Sequence, residues 1–209
     1  MKKSEYFSTW SQLHGNARIS GVVKAWMSVS FLLCSGLKKI KVTPNFLTYF
    51  SLVLASGYLL LIESNWAILF LVLSLAADGL DGTLAIISDR VSKWGAALDA
   101  VVDRVVEAIW LLGMHQLGAP IEIVLLIWIA AFSQEYLRAR AGGLGVTQIG
   151  VVTVGERPVR ASLIFVVLVG RAFGFDLIEQ VAIAWAVLQL LSALTVLSFL
   201  RPLLQQSQR

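Results

Sequence analysis

The chain alternates long apolar stretches with short polar segments, a pattern typical of a helical membrane protein. Each stretch is close to the roughly 20 residues that an α-helix needs to cross a hydrocarbon core about 30 Å thick. Six stretches follow a polar beginning, and they cover approximately residues 45–63, 66–88, 96–115, 119–138, 159–174 and 178–200. The pattern therefore predicts an all-α integral membrane protein with six transmembrane helices.

The residues before the first apolar stretch predict a different kind of helix. Residues 17–38 mix apolar side chains with basic ones, and this mixture favours an amphipathic helix that lies in the membrane interface. A seventh span is the alternative, but Lys24 and the interspersed serines disfavour it. We therefore expect residues 1–42 to form a cytoplasmic N-terminus with this juxtamembrane helix, and residues 43–209 to form a six-helix membrane domain.

Composition agrees with a membrane location, and the distribution of charge predicts the orientation. Hydrophobic residues make up 57% of the chain and charged residues only 14%, against about 25% charged residues in soluble domains. Basic residues gather on one side of the predicted membrane, namely Lys2, Lys3, Arg18, Lys24, Lys38, Lys39, Lys41, Arg90, Lys93, Arg138, Arg140, Arg157, Arg160, Arg201 and Arg209. The positive-inside rule then places both termini in the cytoplasm, at the inner or plasma membrane. The net charge of +4 reflects this asymmetry, not nucleic-acid binding.

Two pairs of aspartates interrupt the apolar stretches. Asp78 and Asp81 share one helix face by their i,i+3 spacing, and Asp99 and Asp103 share another by their i,i+4 spacing. At 1.5 Å per residue, Asp81 and Asp78 lie about 10 and 15 Å inside the end of one helix. Asp99 and Asp103 lie about 5 and 10 Å inside the start of the next. The connection over residues 89–94 is short, so the two helices are antiparallel neighbours and all four carboxylates face the cytoplasmic half.

A carboxylate cluster at one membrane depth predicts a divalent cation. A single ionised carboxylate at the bilayer centre costs roughly 2.5–3.5 kcal/mol, and bound cations offset that cost. Oxygen ligands favour Mg²⁺, Mn²⁺ or Ca²⁺ over zinc. Small residues surround the acids, namely Gly79, Gly82, Ala85, Gly95, Ala96 and Ala97. Helix packing alone explains small residues, but beside the acids they favour a ligand cleft.

The aspartate spacing carries a family resemblance. The pattern Asp78-x2-Asp81-Gly82-x2-Ala85, then Gly95-x3-Asp99-x3-Asp103, resembles the signature of the CDP-alcohol phosphotransferases. The segments most similar to bacterial phosphatidylinositol-phosphate synthases are Thr43-Pro44-Asn45, Ser92-Lys93-Trp94-Gly95, Tyr136–Ala141 and Glu156-Arg157-x2-Arg160. The resemblance implies six transmembrane helices, a homodimer, and transfer of a phosphatidyl group from a CDP-alcohol such as CDP-diacylglycerol to an acceptor hydroxyl. CMP is the implied leaving group.

The resemblance also implies roles for individual residues. Asp103 is the implied catalytic base. Asp78, Asp81, Asp99 and Asp103 are the implied ligands of two metal ions, Mg²⁺ or Mn²⁺. The implied CDP-alcohol site consists of Thr43, Pro44, Asn45, Gly82, Ala85, Arg90, Ser92 and Gly95. Inositol phosphate is the implied acceptor, bound by Arg138, Arg140, Arg157 and Arg160. Glycerol 3-phosphate would satisfy the same electrostatics. Arginines beside spans also serve topology and contact lipid headgroups, so that alternative stays open.

One position departs from the family pattern. Ile86 stands where the family places an arginine, and the loss of a charge-assisted contact to the diphosphate costs roughly 1.5–3 kcal/mol. Either Arg90 substitutes from one helical turn onward, or the protein has diverged toward another donor or acceptor or toward inactivity. A membrane prenyltransferase and an ion-conducting protein are the alternatives from other classes, because both use intramembrane acids. Acids clustered toward one side disfavour an ion path.

Overall fold

The computed structural model describes residues 1–13, 15, 18–146 and 151–206. Eight helices follow one another in these described residues: α1 (Lys3–Leu13), α2 (Gly21–Lys39), α3 (Pro44–Leu60), α4 (Trp66–Ile87), α5 (Lys93–Gln116), α6 (Ile121–Gly143), α7 (Arg157–Ala172) and α8 (Ile178–Gln206). Arg209, which contributes to the predicted orientation, lies outside the described residues. So does residue 17, the first residue of the predicted amphipathic segment.

The last six helices occupy the six predicted apolar stretches, so the predicted helix positions are confirmed. By length and composition, α4 and α8 are the helices in the described residues that are able to cross a membrane. Helices α3 and α7 have 17 and 16 residues, near the lower limit for a span. Helices α5 and α6 carry several charged residues within their length, which lowers their hydropathy. The count of six spans stays a prediction.

Two helices precede α3, where the sequence predicted one. Helix α2 overlaps the predicted amphipathic segment, and its placement in the membrane interface stays a prediction. Helix α1 was not predicted, because its sequence is mostly polar. Its aromatic side chains explain the helix: Tyr6 is fully buried, and its hydroxyl shares a hydrogen bond of 2.9 Å with the Thr83 hydroxyl of α4.

The chain forms two compact units. The first unit comprises Met1–Ser56 and Val72–Val106, and the second comprises Gly57–Leu71 and Glu107–Arg209. The core of the first unit joins α1 and α2 to α3 and α4 through the buried residues Tyr6, Met27, Cys34, Leu47, Leu80, Leu84, Ile86 and Ile87. Polar contacts reinforce it, because the Lys38 ammonium donates to the Ile87 carbonyl at 2.7 Å and the Ser74 hydroxyl donates to the Ser51 carbonyl at 2.8 Å.

Close helix approach and buried amides organise the second unit. A Cβ on Gly113 of α5 would lie 2.4 Å from the Tyr58 hydroxyl oxygen, so any side chain there would displace the buried Tyr58 ring. Helices α6 and α8 are joined where the Gln189 side-chain amide donates to the Gln134 carbonyl oxygen at 2.9 Å. The Gly155 N–H donates to the Ser192 hydroxyl at 2.7 Å, which fastens the segment before α7 to α8.

Candidate functional site

Three of the predicted metal-binding aspartates come together in the first unit. Carboxylate oxygens of Asp78, Asp99 and Asp103 lie within 4.8 Å of one another. Helix α4 supplies the first of them and α5 the other two. Because α5 begins at Lys93, earlier than predicted, Asp99 and Asp103 lie about 9 and 15 Å inside it. Measured from the end of α4 at Ile87, Asp78 lies about 14 Å inside, which matches the depth of Asp103.

Asp81 has a different environment from the other three aspartates. Its side chain is buried, and its carboxylate accepts a hydrogen bond of 2.5 Å from the Thr48 hydroxyl of α3. The structure does not place Asp81 in the close group, so its predicted role as a metal ligand stays a prediction. The group of three offers anionic oxygens at a spacing that one ion can bridge, and this donor set fits a hard divalent cation such as Mg²⁺ or Mn²⁺.

A cavity of about 500 Å³ adjoins the aspartates, and Asp78, Asp81 and Asp99 line it. This volume lies within the range of ordinary small-molecule sites. The residues predicted to bind a CDP-alcohol that also line the cavity are Pro44, Asn45, Gly82, Ala85, Arg90, Ser92 and Gly95. The residues of the sequence motif therefore lie on one continuous surface, to which α3, α4, α5 and the turn between α4 and α5 contribute.

Two of the predicted donor-binding residues have capping roles in the structure. The Thr43 hydroxyl accepts from the Phe46 N–H at 3.3 Å, so Thr43 caps α3, whose first residue is Pro44. Thr43 is not part of the cavity lining described above. The Ser92 hydroxyl accepts from the Gly95 N–H at 3.0 Å, so it caps α5 while lining the cavity. Its own proton stays available to a ligand.

Two glycines keep the cavity open between the helices. A Cβ on Gly95 would lie 3.0 Å from the Ser92 hydroxyl oxygen and 3.4 Å from the Asn45 side-chain oxygen. A side chain at this position would therefore crowd both polar groups. A Cβ on Gly82 meets nothing within 4 Å, because the backbone there faces the cavity. Glycine at these positions leaves the polar atoms and the backbone accessible to a ligand.

Arg90 lines the cavity, but the route expected from the sequence is wrong. Helix α4 ends at Ile87, so Arg90 does not lie one turn further along it. Asp89 adopts a left-handed conformation with φ of 55°, and the Arg90 N–H donates to the Ala85 carbonyl at 2.8 Å. This pattern is a Schellman cap, which reverses the chain after the helix. The turn brings Arg90 to the cavity wall, which Ile86 also lines while its side chain packs in the core.

The N-terminal helices form a wall of the cavity that the sequence did not predict. Its lining residues from α1 and α2 are Tyr6, Trp10, Leu13, Val23, Trp26 and Met27. Trp26 lies against α4, since a Cβ on Gly79 would come 3.0 Å from its indole ring. The sequence signal was the i,i+4 spacing of Tyr6 and Trp10, which puts two aromatic rings on one helix face.

The four predicted acceptor arginines lie in the second unit, where Arg138 and Arg160 form ion pairs with glutamates. The Arg138 guanidinium contacts Glu156 at 2.7 Å and Glu135 at 3.2 Å, and it also donates to the Val151 carbonyl at 2.9 Å. Arg160, which is only 1% exposed, pairs with the equally buried Glu107 and with Glu135 at 3.5 Å. These arginines therefore hold α5, α6 and α7 together within the unit.

The remaining two arginines have other surroundings. The Arg157 guanidinium lies over the Trp110 ring, 5.3 Å from its centroid, and Arg140 is exposed near the end of α6.

Glu156, the residue before Arg157, has a shifted pKa. Burial alone would raise the pKa of its carboxyl, but hydrogen bonds from Arg138 and Thr153 outweigh burial and lower it. Glu156 is therefore anionic at neutral pH and matches the charge of Arg138. Whether any of the four binds an acceptor stays a prediction.

Comparison with known proteins gives a family match that covers most of the chain. The family model described as CDP-alcohol phosphatidyltransferase matches residues 41–197. A phosphatidylinositol phosphate synthase of Corynebacterium glutamicum is 35% identical over 162 residues, which are 71% of this chain and 72% of that protein. An uncharacterized protein of Aquifex aeolicus is 37% identical over 123 residues, or 54% of this chain. The chain matches only 63% of the length of that relative.

Solved structures share the fold at lower sequence identity. The structure of Mycobacterium tuberculosis phosphatidylinositol phosphate synthase with CDP-DAG bound has a TM-score of 0.69 and 20% identity, and the match covers 83% of this chain and 94% of that one. A structure of the same enzyme with manganese and citrate has a TM-score of 0.64 and 20% identity, over 82% of this chain and 88% of that one. The all-helical fold predicted from the sequence is thereby confirmed. The family match and the apolar helices α4 and α8 indicate a membrane protein.

Proposed function

The chain belongs to the CDP-alcohol phosphatidyltransferase family, and on that premise we propose that it transfers a phosphatidyl group from a CDP-linked lipid to an acceptor hydroxyl, releasing CMP. The observation that carries this proposal is the group of Asp78, Asp99 and Asp103 carboxylates within 4.8 Å. Two of these aspartates also line a cavity of about 500 Å³. The predicted family resemblance is confirmed by the match over residues 41–197.

The carboxylates hold the divalent ions in this proposal. Asp78, Asp99 and Asp103 supply anionic oxygens, and Asp81 joins them by releasing Thr48 or by binding through its second oxygen. A bound Mg²⁺ or Mn²⁺, proposed as two ions, supplies charge neutralisation for the donor diphosphate and for the CMP leaving group. The chain's own contribution is to fix the oxygens on two rigid helices at matched depth.

The proposed reaction is a direct displacement at the phosphorus that carries the lipid. The acceptor oxygen forms a bond to that phosphorus, the bond to the bridging oxygen of the diphosphate breaks, and CMP leaves with the bridging oxygen. Asp103 accepts the proton of the acceptor hydroxyl and passes it to solvent. The products are a phosphodiester lipid, CMP and one proton, so atoms and charge balance.

The donor headgroup occupies the cavity beside the aspartates in this proposal. Asn45 and Ser92 offer hydrogen-bonding groups, and Gly82 and Gly95 allow the headgroup to approach the backbone. Arg90 replaces the arginine that the family places at position 86, because the Schellman turn directs it to the same cavity. A guanidinium is well suited to a diphosphate, since it donates two parallel hydrogen bonds.

We propose a small phosphorylated alcohol, such as inositol phosphate, as the acceptor. The support is the name of the Corynebacterium relative, a phosphatidylinositol phosphate synthase, together with the four arginines of the second unit. Arg138, Arg140, Arg157 and Arg160 are the proposed ligands of the acceptor phosphate. Arg138 and Arg160, which already pair with glutamates, position α6 and α7 around it.

The proposed membrane arrangement follows the charge asymmetry. Helices α3 to α8 span the bilayer, α2 lies in the interface, and both termini and the aspartates face the cytoplasm. The lipid tails of the donor then remain in the bilayer while the headgroup reacts near the cytoplasmic surface. The protein is proposed to act as a homodimer in the inner or plasma membrane.

The function is tested with purified protein, labelled CDP-diacylglycerol, Mg²⁺ and a panel of acceptors. Inositol phosphate, glycerol 3-phosphate, inositol and serine form the panel, and CMP release is measured for each. We expect release with inositol phosphate and little with the others. CMP release with a different acceptor would support the transferase activity but change the proposed acceptor. No release with any acceptor, together with metal-dependent ion flux in vesicles, would replace the enzyme by an ion-conducting protein.

Replacement of Arg90 by alanine is expected to raise the KM for the CDP-lipid by roughly 10- to 100-fold. Arg90 lines the cavity, and losing one charge-assisted contact to the diphosphate costs about 1.5–3 kcal/mol. The measurement is the rate of CMP release as a function of donor concentration.

Lys93→Ala is the matched control for Arg90→Ala. Lys93 begins α5, carries the same charge, and is not among the cavity-lining residues. The control is expected to change the donor KM less than about threefold, because exposed charges are screened. Equal, small effects of the two substitutions would show that Arg90 does not replace the missing arginine.

A further inference from the structure

A series of buried polar side chains runs from α8 through α6 to the segment before α7. Gln189 of α8 and Gln134 of α6 are both fully buried, and the Gln189 amide donates to the Gln134 side-chain oxygen at 2.9 Å. The Gln134 amide donates to the Thr153 hydroxyl at 3.5 Å, the longest contact of the series. The Thr153 hydroxyl then donates to the Glu156 carboxylate at 2.9 Å. We call Gln134, Thr153, Glu156 and Gln189 the amide network.

A second contact fastens the same segment to α8. Ser192 follows Gln189 by three residues, so the two side chains share one face of the helix. The buried Ser192 hydroxyl accepts from the Gly155 N–H at 2.7 Å. A Cβ on Gly155 would lie 2.6 Å from the Ser192 hydroxyl oxygen and 3.2 Å from the Gln189 side-chain oxygen. The backbone before α7 therefore lies directly against this polar face of α8.

The amide network ends on the residue that holds two of the proposed acceptor ligands. The two Glu156 carboxylate oxygens accept from the Arg138 guanidinium at 2.7 and 3.2 Å. The Thr153 N–H also donates to Glu156, at 2.8 Å. Glu156 occupies the N-cap position of α7, directly before Arg157. A displacement of Glu156 would therefore move both Arg138 and the start of α7, where Arg157 lies.

Resting on the proposed function, we propose that Gln189 and Gln134 are positioning residues for the acceptor phosphate. They hold Glu156 in place, and Glu156 in turn sets the positions of Arg138 and Arg157. Two apolar side chains would join α6 to α8 without the cost of burying two amides, so the polar contacts serve the segment that they reach. A guanidinium binds phosphate through two parallel hydrogen bonds, and this geometry is sensitive to small displacements.

The test replaces Gln189 by methionine, which has a similar length and no amide. CMP release by the full-length protein is measured against inositol phosphate at saturating CDP-diacylglycerol, and then against CDP-diacylglycerol at saturating inositol phosphate. Gln189→Met is expected to raise the KM for inositol phosphate roughly threefold to tenfold, the range for the loss of one hydrogen bond. The KM for CDP-diacylglycerol is expected to stay the same. An unchanged acceptor KM, or equal increases in both KM values, would overturn the proposal.

A double variant separates positioning from stability, because interhelical hydrogen bonds also strengthen helix association. Gln189→Met alone leaves the Gln134 side-chain oxygen buried without its donor, which destabilises the protein. Replacing both partners by apolar groups is nearly neutral, so Gln134→Met/Gln189→Met is expected to regain the melting temperature. Its acceptor KM is expected to stay raised, since Thr153 still lacks the Gln134 amide. A wild-type acceptor KM in the double variant would mean that the glutamines only join two helices.

Matched controls come from the same helix and from the middle of the network. Gln180→Met changes an exposed glutamine of α8 and is expected to keep the wild-type acceptor KM. Thr153→Val removes the hydroxyl that links Gln134 to Glu156, so it is expected to raise the acceptor KM. Thr153→Ser keeps the hydroxyl and is expected to restore it. Equal acceptor KM values in the two Thr153 variants would contradict the proposal.

A binding measurement distinguishes failure of this proposal from failure of the proposed function. The dissociation constant of inositol phosphate is measured by calorimetry without a CDP-lipid, and Gln189→Met is expected to raise it by the same factor as the KM. If the wild type binds inositol phosphate but releases no CMP, the transferase function fails, and the two dissociation constants still decide the role of Gln189. If the wild type is active and Gln189→Met matches it in both quantities, only the positioning role is refuted. If the wild type neither binds inositol phosphate nor releases CMP, both proposals fail.

Discussion

Asp103→Asn is expected to reduce CMP release by roughly 10²–10⁴-fold, the usual contribution of a general base. An amide does not accept the proton of the acceptor hydroxyl. It also replaces an anionic oxygen in the group that Asp103 forms with Asp78 and Asp99. The rate is measured at saturating donor and acceptor, so that the loss is assigned to kcat.

Asp89→Asn is the matched control for Asp103→Asn. It is the same chemical change in the turn between α4 and α5, and asparagine tolerates the left-handed conformation that Asp89 adopts at φ of 55°. Near wild-type turnover is expected. Binding of Mn²⁺, followed by electron paramagnetic resonance, distinguishes a base from a ligand, since a base alone leaves binding unchanged. Wild-type turnover in Asp103→Asn would refute both roles.

The aspartate group was predictable because its geometry is local. The i,i+3 and i,i+4 spacings select one face of each helix, and a short connection fixes the two helices as neighbours. The sequence did not predict that α5 begins at Lys93. The motif resemblance implied that Ser92 binds the donor. In the structure its hydroxyl also caps α5, and this helix begins three residues earlier than the apolar pattern indicated.

The position of Arg90 was harder to predict, because it depends on how α4 ends. Arg90 is four residues after Ile86 whether the helix continues or the chain reverses. The two cases direct the Arg90 side chain differently. Schellman caps usually have glycine at the left-handed position, and here Asp89 takes it. The sequence therefore lacks the glycine that would have predicted the chain reversal.

The arginines of the second unit show where local reasoning ends. Glu107 and Arg160 are 53 residues apart in sequence, and their pairing depends on how the helices of the unit pack. Local spacing indicates only that Arg138 and Glu135 are neighbours on α6. The motif resemblance therefore selected these basic residues but did not predict that glutamates already match the charges of Arg138 and Arg160.

The buried pair of Arg160 and Glu107 leads to the largest expected effect on stability. Both side chains are only 1% exposed, and removing one partner of a buried pair leaves an uncompensated charge at a cost of about 3–5 kcal/mol. Arg160→Met is therefore expected to lower the melting temperature by roughly 10 °C or more. Thermal unfolding of the purified protein in detergent measures the shift.

Two further variants determine what Arg160 does. Arg171→Met breaks the exposed pair with Glu63, whose side chains are 49% and 66% exposed, and it is expected to cost about 0–1 kcal/mol. The double variant Arg160→Met/Glu107→Leu removes both buried charges and is expected to regain most of the lost stability. If this stable double variant also keeps acceptor turnover, Arg160 is a positioning residue. If it is stable but its acceptor KM rises sharply, Arg160 contacts the acceptor directly, as the motif resemblance implied.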